Sequence, residues 1–243
     1  MIDIESCLER IGYRGPTEPT LDTLGGLQKA FLLKVPFENL DIHLGRRISL
    51  SSESIYRKIV SRKRGGFCYE CNILFFDLLV RLGFRVDYLS ARMVKGGSLT
   101  PEYDHMVLLV QLKSDYLVDV GNGQSCREPL RINGSNGSAS EGYTYRVGSH
   151  GQDYALYFQQ PEGAWTPRFQ FTLTSRDRAE FSDMCHYHQT SPDSIFTKYR
   201  LVTMATPEGR ITLADRQLSI TKGAERQERG INSEDEYLEI LNT

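Results

Sequence analysis

No stretch of the 243 residues approaches the ~18 consecutive apolar residues that a membrane-spanning helix needs. The opening residues, MIDIESCLERIG, place acidic side chains where a secretory leader carries basic ones, and no apolar run follows. An excess of basic charge is also missing. Lys and Arg number 29 against 31 Asp and Glu, a net charge of -2, which leaves no footprint for nucleic acid. The one basic run, RKRGG at 62–66, is short and leads into apolar residues. Cysteine is scarce: five residues, odd in number and without a framework spacing. That excludes a disulfide scaffold as the organising device and predicts free thiols in a reducing compartment, the cytoplasm.

What is present is an ordinary globular composition, 40% hydrophobic and 25% charged, in a chain long enough to bury a real core. The first third has helical spacing. Ile4, Leu8 and Ile11 form one stripe; Leu21, Leu24, Leu27, Phe31 and Leu32 form another, which Pro36 stops. PFENLDIHLGRR reads as irregular, and Ser51 to Ser54 as the cap of a helix through Val60. Ile73, Leu74, Phe75, Leu78, Leu79 and Leu82 predict a buried helix that starts at Cys68 and ends at Gly83. From Phe84 the pattern turns to strands: FRVDYLSARMV, HMVLLVQL and DYLVDVG, with a tight turn at Ser114-Asp115, then YTYRVG, YALYFQ and RFQFTLT. The low-complexity stretch from Gly134 to Gly142 reads as a flexible loop, and 176–187 as a helix. Three short strands and a helix over 235–241 close the chain. Helices, then strands, then a small mixed piece predict an α+β fold rather than alternating βαβ units.

Three residues in this order carry potential chemistry. Cys68 follows Gly65-Gly66 and begins a predicted helix, whose unpaired N–H groups favour a thiolate. The glycines are expected to let the backbone turn sharply and a substrate come close. A buried structural cysteine is the competing reading. His105 opens the apolar strand HMVLLV. Asp119 lies in the apolar strand YLVDVG, where a carboxylate needs a partner. The turn at Ser114-Asp115 makes these strands antiparallel neighbours, so Asp119 can hold His105 while His105 takes a proton from Cys68.

Cys68 and Cys71 also form a C-x-x-C, which suits a dithiol redox site or half of a zinc site. Redox chemistry of the thioredoxin kind needs a βαβ setting that the preceding helices do not give. Zinc needs four ligands, and only Cys185, His186 and His188 in MCHYHQ are candidates to complete a set. Cys71 otherwise reads as a residue on the apolar face of the helix.

RGGFCYECN resembles the arginine–glycine–glycine–x–cysteine–x–glutamate–leucine–asparagine signature of the arylamine N-acetyltransferases. VPFENLDIHLG resembles their proline–phenylalanine–glutamate–asparagine segment. DHMVLLV resembles the strand bearing their catalytic histidine, and LVDVGNG, with REPL after it, the strand bearing their aspartate. The likeness is specific over roughly residues 1–130. It implies a Cys68 nucleophile, a His105 base and an Asp119 orienter. The implied reaction is ping-pong transfer, without a resident cofactor, from acetyl-CoA to an arylamine or arylhydrazine. It implies that Phe37 lines the acceptor pocket and that Glu38 and Arg64 form an internal ion pair. The implied architecture is a helical bundle (1–83), an antiparallel β-barrel (84–188) and an α/β lid (189–243) around a cysteine-protease-like core, with no metal.

The departures are local. Cys71 replaces the leucine of the signature and is expected to add oxidation sensitivity. Asn122 stands where the family has an aromatic residue lining the acceptor pocket, and the chain ends early enough to shorten the lid. Both are compatible with a second reading within the family. In that reading the chain is an amide synthase that takes a polyketide-type acyl chain from an acyl carrier protein.

Overall fold

The computed structural model describes residues 2–134, 137–223 and 225–242. The first helices form where side chains satisfy their free N–H groups. Asp3 caps α1 (Ile4–Ile11), its carboxylate accepting from the Ser6 N–H at 2.8 Å, and Thr20 caps α2 (Leu21–Lys34). Helix α2 stops where Pro36 forces the preceding Val35 into extended backbone. The segment expected to be irregular holds a two-residue strand, β1 (Phe37–Glu38), and one helical turn, α3 (Leu40–His43). Both are too short to leave a period in the sequence. Ser51 does cap α4 (Ser52–Tyr56), but the expected continuation to Val60 is a π-helical turn over Arg57–Ser61. This wider turn brings Lys58 into the interior. Helix α5 (Cys68–Arg81) is buried on most of its circumference.

Nine strands follow in one antiparallel sheet. They are β2 (Arg85–Lys95), β3 (Ser98–Leu99), β4 (His105–Gln111), β5 (Asp115–Val118), β6 (Leu130–Arg131), β7 (Ser138–Ser140), β8 (Tyr143–His150), β9 (Asp153–Gln159) and β10 (Thr166–Phe171). The path runs β6-β5-β4-β2-β10-β9-β8-β7, with β3 folded back on β2, and it curls until β6 meets β8. Leu89, Val107, Leu109, Phe169 and Phe171 fill the barrel. The opposite face of β4, with Met106, Leu108 and Val110, packs on the helices. Burial on both faces explains why HMVLLV is an unbroken apolar run. The expected loop from Gly134 to Gly142 contains β7; Ser135 and Asn136 lie outside the described residues.

After a 3-10 turn (Arg178–Phe181), α6 (Ser182–Thr190) replaces the expected helix over 176–187, and α7 (Ile195–Lys198) follows. The closing sheet comprises β11 (Leu201–Thr206), β12 (Gly209–Ala214), β13 (Gln217–Lys222) and β14 (Glu225–Gly230), covered by α8 (Glu234–Leu241). Strand β14 escaped the sequence reading because every residue in it is exposed, so it has no apolar alternation. Leu213, Leu218, Ile231 and Tyr237 form a third, small apolar cluster. The far edge of this sheet is β1, which pairs with β11 through Phe37 opposite Thr203. No helix among the described residues is long and apolar enough to cross a membrane.

The two glycines before Cys68 are not at positive φ, contrary to the sharp turn expected of them. They are small because the chain runs close beside β1. Gly66 N–H donates to the Pro36 carbonyl at 3.0 Å, and Glu38 N–H to the Gly66 carbonyl at 2.9 Å. A Cβ on Gly65 would lie 2.2 Å from the Pro36 oxygen, and one on Gly66 3.0 Å from Cys71 Sγ. Gly65→Ala is therefore expected to lower the melting temperature by roughly 5–10 °C. Gly230→Ala, whose Cβ meets open space, should change it little. Differential scanning calorimetry of the pair checks this.

Candidate active site

Cys68 is the first residue of α5, preceded by a cap that its own helix supplies. Glu70 reaches back to accept the Phe67 N–H at 2.8 Å. The Cys68 side chain is buried, and burial pushes its thiol well above the usual range; the Tyr69 N–H, which points at the sulfur, opposes that only in part. A thiolate here therefore needs a cation beside it.

His105 supplies a ring that can become one. Its Nε2 lies 2.9 Å from Asp119 Oδ2, and both side chains are buried. Asp119 is not inside an apolar strand as expected. It lies one residue beyond β5, where the chain has left the sheet, so its carboxylate is free to take three polar contacts. Besides His105, Asn72 Nδ2 donates to Oδ1 at 3.1 Å and Gly121 N–H at 2.9 Å. Burial alone would raise the Asp119 carboxyl, but the His105 ring and these donors outweigh it and hold it below the ordinary range.

Asn72 went unassigned in the sequence and ties the parts together. It donates also to the Met106 carbonyl at 2.8 Å and accepts the Val120 N–H at 3.1 Å, so helix, strand and loop meet on one amide. Gly121 completes the junction: a Cβ there would lie 2.4 Å from the Cys68 carbonyl oxygen.

Cys68 and His105 line one cavity of about 180 Å³. Its walls are largely apolar, from Phe37, Met93, Ile195, Phe196 and Leu201, with Lys95, Asp104, Gly121 and Asn122 also exposed to it. Phe37 and Asn122 both line the cavity that holds Cys68. Asn122 Oδ1 accepts from Arg168 Nη2 at 3.0 Å, while its Nδ2 is buried without a partner among the described residues. The α7 residues were not foreseen, since a four-residue helix carries no pattern. Asp104 was not foreseen either. Its Oδ1 lies 3.3 Å from His188 Nε2, a second buried histidine–carboxylate pair that ties α6 to the start of β4.

Behind the Cys68 turn lies a buried ion network larger than the expected Glu38–Arg64 pair. Arg64 meets Glu38 and Asp41, each at 2.6 Å. Lys58 Nζ is 2.7 Å from Glu70, 3.0 Å from Asp41 and 3.4 Å from Glu38. Burial would lower the Lys58 ammonium, but the three carboxylates raise it above its usual value. Arg10 locks the neighbouring backbone, donating to the carbonyls of Lys34, Ile59, Lys63 and Arg64 at 2.6–3.3 Å.

Cys71 faces away from chemistry. It is buried, its Sγ donates to the Gly66 carbonyl at 3.3 Å, and burial raises its thiol. On α6, Cys185 is buried against Gln189, and His188 is taken up by Asp104 and Ser194. Among the described residues no group of three or more His, Cys, Asp or Glu is placed to hold a metal ion.

Two consequences can be measured. Lys58→Met leaves the buried Glu70 without a cation, and Glu38 and Asp41 with Arg64 as their one close cation, and should cost roughly 3 kcal/mol or more in urea unfolding. Asp119 has a folded carboxyl below its unfolded value of about 3.9, so it contributes stability above that pH and loses it as pH falls through the folded value. Asp119→Asn should therefore be less stable than the parent at pH 7, and the gap should narrow below pH about 4. A gap in melting temperature that stays constant across that window would mean Asp119 titrates alike in both states.

Known proteins resemble this chain in sequence and fold over nearly its whole length. A sequence model described as N-acetyltransferase matches residues 20–243. An arylamine N-acetyltransferase of Mycolicibacterium smegmatis is 34% identical, aligning over 99% of this chain and 90% of its own. The solved arylamine N-acetyltransferase of Mycobacterium tuberculosis superposes with a TM-score of 0.91 at 30% identity, covering 99% of this chain and 92% of that one. The enzyme of Mycobacterium marinum, solved in complex with CoA, gives 0.91 at 30% identity over 99% and 91% of the two chains. This α+β chain is an acetyltransferase and belongs to the arylamine N-acetyltransferase family.

Proposed function

We propose that the chain moves an acetyl group from acetyl-CoA to an arylamine or arylhydrazine nitrogen through a thioester on Cys68. The observation that carries this is the 2.9 Å His105–Asp119 pair beside a cavity that also holds Cys68. Asp119 accepts a hydrogen bond from the Nε2–H of His105, which fixes the tautomer and leaves Nδ1 as the basic nitrogen. His105 accepts the Cys68 proton at Nδ1 as sulfur attacks the thioester carbonyl, so the buried thiolate forms only beside an imidazolium. The CoA thiolate leaves and takes that proton. In the second half the amine attacks the acetyl-cysteine, gives its proton to His105, and Cys68 leaves as a thiol. No resident cofactor takes part; acetyl-CoA is a co-substrate, as the CoA complex of the Mycobacterium marinum relative supports.

Phe37 and Asn122 bind the acceptor in this reading, Phe37 by its ring face and Asn122 by an amide held against Arg168. Glu38 and Arg64 position the Cys68 turn and do not react. In this reading the chain divides into 1–83, 84–188 and 189–243; the second and third parts each hold an apolar cluster of their own, while the cluster of the first part extends across both boundaries to Met106, Leu108, Phe181 and Ala205. Placement in the cytoplasm is supported by five free, buried cysteines. The amide-synthase alternative asks for a long acyl chain, and a cavity of about 180 Å³ suits an acetyl group and one ring better.

Mass spectrometry of the intact protein after mixing with acetyl-CoA, without acceptor, tests the proposal. One acetyl group should appear, be discharged by anisidine, and be absent in Cys68→Ala. Cys71→Ser should acylate normally. Folded Asp119→Asn should acylate roughly 10³-fold more slowly or worse. Acylation by a carrier-bound thioester and not by acetyl-CoA would favour the amide synthase, and full activity in Cys68→Ala would end both readings.

A further inference from the structure

A second cavity of about 200 Å³ shares no lining residue with the one at Cys68. Its buried wall is the ion network, with Lys58, Asp41 and Glu70; its exposed rim carries Arg46, Arg47, Arg57 and Arg62. The π-helical turn places Arg57 and Arg62 at its two ends while Lys58 turns inward.

The charge is uneven. Lys58 and Arg64 are committed to Glu38, Asp41 and Glu70, two cations against three carboxylates, so the network itself has no positive charge to spare. The surplus is on the rim. Arg46 reaches Asp41 only at 4.0 Å, and Arg57 meets Glu53 in a pair exposed on both sides, where water screens the attraction. Arg47 and Arg62 have no ion-pair partner among the described residues. All four are arginines, whose planar forks of N–H groups match the oxygens of phosphate and carboxylate better than an ammonium does. Ser49 and Ser54 add hydroxyls to the same wall. At ~30 Å³ per water, the space equals about six or seven waters, enough for a compact dianion or larger.

We propose that this cavity is a binding site for a compact polyanion of the phosphate class, separate from the acetyl-transfer cavity. A ligand there is held by the arginine rim and stabilises the folded chain by an amount that rises with the logarithm of its concentration above Kd.

Isothermal calorimetry and thermal denaturation with inorganic pyrophosphate test this, against sodium chloride at matched ionic strength. Saturable binding and a rise in melting temperature that salt does not reproduce are expected. An Arg47→Ala, Arg62→Ala double variant, with an unchanged melting temperature in the absence of ligand, should bind at least tenfold more weakly. Parallel titrations with inorganic phosphate and glycerol 3-phosphate tell a free anion from a phosphate ester. Equal stabilisation by salt, or equal binding by the double variant, overturns the site. A rise in the acetyl-CoA KM of the double variant, matched by pyrophosphate competing with acetyl-CoA, overturns its separateness and assigns the cavity to the donor. Because binding is read without turnover, failure here is distinct from failure of Cys68 to acylate.

Discussion

One buried ammonium, that of Lys58, fixes the geometry on which the site depends. Three carboxylates converge on it from β1, α3 and α5. Each would be costly to bury alone, and together they are tolerated because Lys58 and Arg64 lie among them. Glu70 then serves two masters, the ammonium and the Phe67 N–H, so the charge network and the start of α5 are one object. The position of Cys68 follows from electrostatics two turns of chain away. The absence of Cβ atoms at Gly65 and Gly66 lets that chain lie flat against β1.

The second constraint is the junction at Asn72. A side-chain amide has two donors and an acceptor, and here they bond β4, the loop after β5, and the Asp119 carboxylate itself. Asp119 is thereby oriented before any substrate arrives. Burial holds the Cys68 thiol protonated, and the proposed chemistry depends on His105, which lines the same cavity, to change that. In that proposal the cost of orienting Asp119 is met in folding rather than in the reaction.

Much of this was legible in the sequence where residues had a long period or a costly position. The stripe of α5, the double burial of β4 and an aspartate next to apolar residues were all visible, and the last of these led to His105. What escaped has a common cause. The π-helical turn, α3, α7 and β1 are five residues or fewer, and β14 has no apolar side chain and is exposed throughout. Lys58, Asp41 and Asp104 went unassigned, since burial of a polar residue depends on partners far along the chain. The Gly65-Gly66 pair was seen and read as a sharp turn open to substrate; the close neighbour that Gly65 admits is the Pro36 carbonyl, 29 positions away.

The pairing of β1 with β11 bears on how the molecule is made. Phe37 and Thr203 are joined only after most of the chain exists, and the same meeting brings Phe196 and Leu201 over Cys68. Contacts this distant in sequence are slow to form and come late in vectorial synthesis. Until then β1 is an unpaired edge and one wall of the Cys68 cavity is missing. The reactive pocket is therefore among the last parts of the protein to come into being, and a partly synthesised chain carries Cys68 without the enclosure that shelters it.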